Sequence, residues 1–143
     1  MSLLEIIFKY KDQDATPRDI APDGLACAET VSTILKEYLA QKGIIFPVII
    51  STYELWKELE KREDLFERVY EPQSEDIVIS PTKLNTRPDL MPHGHAGFYI
   101  DSDRIASNDS RTGQLKINYD RESWRQTFHY YGGYPVKLYR LRS

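Results

Sequence analysis

The hydrophobic pattern of this chain changes period near Pro72, and that change restricts the available folds more than any other feature. Before it, Cys27, Val31, Ile34, Leu35, Tyr38 and Leu39 recur at the i, i+4, i+7, i+8 spacing of a helix with one buried face. The spacing predicts a helix over residues 27–41 that Gly43 ends. Ser51 with Glu54 three residues on predicts a second, capping-box helix whose apolar side is Leu55, Trp56 and Leu59. After Pro72 come short runs rich in β-branched and aromatic residues: 77–79, 96–100, 104–107, 114–119 and 136–141. Turns such as Asp101-Ser102-Asp103 and Arg111-Thr112-Gly113 separate them, so they read as strands. Asp120 should cap a short helix over 121–128, and residues 1–10 read as a first strand or buried arm. The sum is an α+β domain, N-terminal helices packed on an antiparallel β-sheet, with 1–143 as a single domain.

Scarcity narrows the chemistry. The chain has one cysteine, Cys27, and three histidines, His93, His95 and His129, so an internal disulfide and Cys-rich zinc sites are excluded. A chain of 143 residues can build its core without such staples. The N-terminal run carries Glu5 and lacks a basic leader and a small-residue cleavage site, so no secretory signal is expected. The apolar run 44–50 falls far short of the ~20 residues that cross a bilayer, so no membrane span is expected. Net charge is −3, which argues against nucleic acid as a partner. The charge is lopsided, −8 over residues 1–110 and +5 over 111–143, which reads first as a solvated strand face.

Three positions could carry chemistry together. Cys27 opens a helix, where unpaired N–H groups and the helix dipole favour a thiolate, although a lone cysteine on an apolar face also suits a core. His95 stands at the start of an apolar strand, in Gly94-His95-Ala96-Gly97-Phe98. A hairpin from that strand to the next places Asn108 beside His95, as the residue that would fix the imidazole tautomer, with Asp109 as the fallback one register step away. Asn108-Asp109-Ser110 also reads as a plain turn. His93 and His95 could form an i, i+2 metal pair, but no His-Glu-x-x-His pattern supports it, and no metal or cofactor is expected. His129 reads as structural.

The order of these residues resembles the papain-like cysteine peptidases, and within them the compact CHAP and NlpC-type cell-wall amidases. Leu25-Ala26-Cys27-Ala28-Glu29-Thr30-Val31 is similar to the family's Cys-Ala-Glu-x-Val helix start, and Asp76-Ile77-Val78 to its Gly-Asp-Ile strand. His95-Ala96-Gly97-Phe98-Tyr99-Ile100 is similar to its His-x-Gly-hydrophobic strand, followed by Arg104 to Ser110, Gly113, Trp124 and a closing Tyr139-Arg140-Leu141-Arg142. The likeness covers about residues 20–142. Two segments depart from the pattern. Ser74-Glu75 stands where the family has Pro-Gly, and Asp101-Ser102-Asp103 replaces a Gly-rich turn.

The resemblance implies a papain-like fold with Cys27 as nucleophile, His95 as general base and then acid, and Asn108 as the orienting third residue. It also implies peptidoglycan or its stem peptides as the partner, and action on the cell wall after release, virion packaging or secretion. Substrate contacts would come from the loop 81–92 and from Tyr53, Trp56 and the Tyr130-Tyr131-Gly132-Gly133-Tyr134 cluster. Two alternatives stand beside this: an inactive binding or structural module of the same fold, and a protein deamidase or acyltransferase using the same dyad.

Overall fold

The computed structural model describes residues 1–15, 26–82 and 94–143, and His93 with most of the 81–92 loop lies outside them. The first departure from expectation is at the N-terminus. Residues 1–10 form neither strand nor arm but a helix, α1, Leu3–Tyr10. Ser2 and Glu5 close a reciprocal capping box, and Leu3, Ile6 and Ile7 bury one face. An apolar run this short fits either period, and here the cap and the i, i+3, i+4 face decide for the helix.

The second helix, α2, is Cys27–Ala40. Gly43, at φ +73°, ends it, and the Ile44 N–H reaches back to the Leu39 carbonyl at 3.0 Å, as in a Schellman turn. The third, α3, is Thr52–Lys61, with the Ser51 hydroxyl accepting from the Glu54 N–H. Six strands then make one antiparallel sheet: β1 Phe66–Val69, β2 Ile77–Ser80, β3 His95–Tyr99, β4 Arg104–Asn108, β5 Leu115–Asp120 and β6 Lys137–Leu141. Their spatial order is β1-β6-β2-β3-β4-β5. The sequence reading missed β1, because Phe66-Glu67-Arg68-Val69 carries two charges and sits before the change of period. Pairing with β6, Phe66 opposite Leu141, makes it an edge strand.

Alternation along the strands gives the sheet two covered faces. On one, Ile77, Ile79, Ala96, Phe98 and Ala106 pack with Ile6, Val31, Ile34, Leu35 and Leu55 of the three helices. On the other, Val78, Tyr99, Ile105 and Leu138 lie under Trp124 and Phe128. Those two rings come from the segment expected as one α-helix over 121–128. Only α4, Arg121–Trp124, is α-helical, started by the Asp120 cap, and a π-helical segment, Arg125–Tyr131, follows. Sequence period cannot separate the two. The close set of rings, with Trp124 and Phe128 centroids 4.7 Å apart, shows the packing that the wider turn serves. Among the described residues no helix is long and apolar enough to cross a membrane.

Candidate active site

Helix α2 begins differently from its neighbours. Ser2, Ser51 and Asp120 cap α1, α3 and α4 with side-chain oxygens, whereas Ala26 at the N-cap of α2 offers none. Alanine is among the poorest N-caps, so the first-turn donors of α2 are left for another group. The Cys27 sulfur sits among them, with the N–H groups of Cys27 and Ala28 directed at it. The thiol also lies 3.9 Å from the Gly94 carbonyl, and the Ala96 N–H likewise favours a charge on the sulfur. The sulfur therefore rests against the main chain on either side of His95. Gly94 lets the start of β3 close on Ser80 and Thr52, since a Cβ would stand 2.6 Å from the Ser80 carbonyl and 2.9 Å from the Thr52 hydroxyl.

The thiolate expected from this position is not what the closed site favours. Cys27 is 7% exposed, and burial pushes the thiol up to about 11, against the smaller opposing pull of the Ala96, Ala28 and Cys27 N–H groups. His95 behaves alike. Its ring stacks on Phe128 with centroids 5.1 Å apart and an interplanar angle of 20°, with Trp124 at 5.3 Å and the edge of Tyr119 at 5.8 Å. Burial in that aromatic cage pulls the imidazole down to about 4. At neutral pH both groups are uncharged.

The partner of His95 is Ser107. His95 Nε2 lies 2.9 Å from Ser107 Oγ, and that hydroxyl donates to Asn118 Oδ1 at 2.7 Å. The serine proton is committed to the amide oxygen, so Ser107 accepts from His95, the imidazole proton sits on Nε2, and Nδ1 carries the free lone pair. Register explains why Ser107, and neither Asn108 nor Asp109, holds this place. Gly97 pairs with Ser107 across β3 and β4, so Ser107 shares the His95 face and Asn108 points to the α2 side, where it is 3% exposed. Asp109 lies past the strand and accepts from the Arg111 N–H at 3.0 Å within the turn that precedes β5. Gly97 lets the two strands close here, since a Cβ would stand 2.7 Å from the Ala106 carbonyl and 3.0 Å from Ser107 Cβ.

Three members of this cluster escaped the sequence reading. Ser107 was recoverable, because the hairpin turn over 101–103 sets a register that puts it on the His95 face. Asn118 was not, because a bulge between Ile105 and Ala106 moves it into reach of Ser107. Tyr119, its hydroxyl pushed up chiefly by burial, completes the cage from the same strand.

The other residues expected to contact substrate differ in their surroundings. The Trp56 N–H donates to the Tyr139 hydroxyl at 2.8 Å. Tyr130 and Tyr131 are exposed at the end of the π-helical segment, while Tyr134 is buried. His129 Nδ1 bonds the Tyr134 carbonyl at 2.8 Å. Among the described residues no group of His, Cys, Asp and Glu could hold a metal ion. Comparison with protein-family models and with curated proteins finds no match to this chain.

Proposed function

We propose that the protein is a cysteine amidohydrolase of papain-like fold in which Cys27 attacks and His95 carries the proton. The observation that carries this reading is the Cys27 sulfur, held at an uncapped helix start against the main chain flanking a histidine whose tautomer Ser107 and Asn118 fix. The thiol proton passes to Nδ1 of His95 as the sulfur bonds to the amide carbon. The developing oxyanion takes hydrogen bonds from N–H groups of the first turn of α2. The C–N bond breaks, the imidazolium protonates the departing amine, and water deprotonated by His95 releases the acid and restores the thiol. The neutral starting pair makes proton transfer part of the attack.

Peptidoglycan as substrate, and the cell wall as the place of action, rest on the segments that resemble CHAP and NlpC-type amidases. One detail of the structure supports that likeness. Glu75 stands where the family has glycine and adopts φ +78°, the backbone conformation glycine serves there. The burial and neutrality of Cys27 and His95 favour a second reading, a binding module of the same fold without activity.

Two assays separate them. The amidase should release soluble peptide or amine from peptidoglycan, and Cys27→Ala should abolish release while circular dichroism stays unchanged. Full activity in Cys27→Ala overturns the mechanism. No release, together with alkylation of Cys27 by iodoacetamide only in strongly alkaline solution, selects the binding module.

A further inference from the structure

On the His95 face of the sheet, at the far end of the strands, a cavity of about 240 Å³ opens between β1, β6 and the α4 to π-helical segment. Three arginines line it, Arg68, Arg121 and Arg125, together with Tyr70, Tyr99 and Trp124, and no carboxylate does. Tyr99 lies four residues along β3 from His95, roughly 13 Å at strand rise, so the cavity lies beyond the His95 cage and shares only the Trp124 wall with it among the described residues.

The arginines are poorly neutralised. Arg68 Nε is buried and meets no acceptor among the described residues, while its guanidinium lies over the rings of Tyr70 and Tyr139, 5.0 and 5.8 Å from their centroids. Arg121 pairs with Glu71 at 3.3 Å, but the Glu71 side chain is 82% exposed, and such a pair contributes little. Arg125 donates to the Tyr130 hydroxyl at 3.3 Å and pairs with no carboxylate among the described residues. A buried donor without an acceptor costs free energy that a ligand oxygen would recover.

We propose that this cavity binds a small phosphate monoester with a flat unsaturated body. Guanidinium forks match phosphate oxygens, and with three arginines and no carboxylate in the lining a dianion is better matched than a single carboxylate. Tyr70, largely exposed at the cavity, offers aromatic surface to a planar body. The volume is below the ~300–1,000 Å³ of drug-sized sites, which suits a phosphate and one ring.

The test is calorimetric titration of the full chain with phenyl phosphate, followed in parallel by quenching of Trp124 fluorescence. Saturable one-to-one binding with a Kd below about 1 mM is expected. Arg121→Ala and Arg125→Ala, both at the surface, should each weaken it at least about fivefold, and Arg68→Lys, which keeps the charge and loses the fork, about tenfold. Cys27→Ala should bind as the parent does. Benzoate binding as tightly as phenyl phosphate overturns the phosphate assignment, and inorganic phosphate binding as tightly removes the flat body from it. No saturation by 5 mM, about five times the expected bound on Kd, or unchanged affinity in the arginine variants, overturns the site.

Discussion

Acidification should unfold this protein partly through one side chain, His95. Its imidazole titrates at about 4 in the folded chain against an ordinary 6.5, so between those values the unfolded chain binds a proton that the folded chain refuses. The sign follows: the contribution of neutral His95 is complete above about pH 6.5 and declines as pH falls to about 4. At 1.36 kcal/mol per pH unit the full gap sets a ceiling of about 3 kcal/mol, and because His95 as a residue is only partly buried we expect roughly 2 kcal/mol between pH 7 and pH 4. Carboxylates titrate over the same range, so the measurement is a difference. Urea unfolding free energies of the parent and His95→Gln, taken at half-unit steps from pH 7 to 4, should draw together by about that amount as pH falls, the variant losing less. Parallel curves would refute the burial of a neutral imidazole. The same logic moves the expected enzyme profile: an ordinary imidazole titrates near 6.5, whereas the cage predicts an acid limb of kcat/KM near pH 4.

Ser107→Ala should cost about 1 kcal/mol in stability for its two hydrogen bonds, and, by freeing the His95 tautomer, slow peptide release while leaving KM nearly unchanged. Equal rates in parent and variant would remove Ser107 from its positioning role. Asp76→Asn should be the harsher change, costing about 3 kcal/mol or more by chemical denaturation. The Asp76 carboxylate is fully buried, bonded to Arg140 at 2.8 Å through both oxygens and to the Gln73 N–H, so a cost under about 1 kcal/mol would show that the pair contributes little.

The helices and strands on either side of Pro72 were legible because their evidence is local. The α2 face from Cys27 to Leu39, the Ser51 cap, the Gly43 stop and the β3 to β4 hairpin each follow from residues within a few positions of one another. Short or charged segments were not. Residues 3–10 fit either period until Ser2 and Glu5 close their box, and Phe66–Val69 becomes a strand only against β6. The same division runs through the candidate site. One cysteine at a helix start and one histidine at a strand start are properties of the sequence, and they name the reacting groups of the proposed chemistry. Which residue holds the histidine was decided by register and by the bulge that brings Asn118 to Ser107. The charge state of the pair was decided by burial: the helix-start donors favour a thiolate, but a buried sulfur and a ring enclosed by Tyr119, Trp124 and Phe128 lose more to desolvation than those N–H groups return. Sequence order determined which groups this chain can bring to one place, and tertiary packing, through alternation of faces and exclusion of water, determined their partners and their protons.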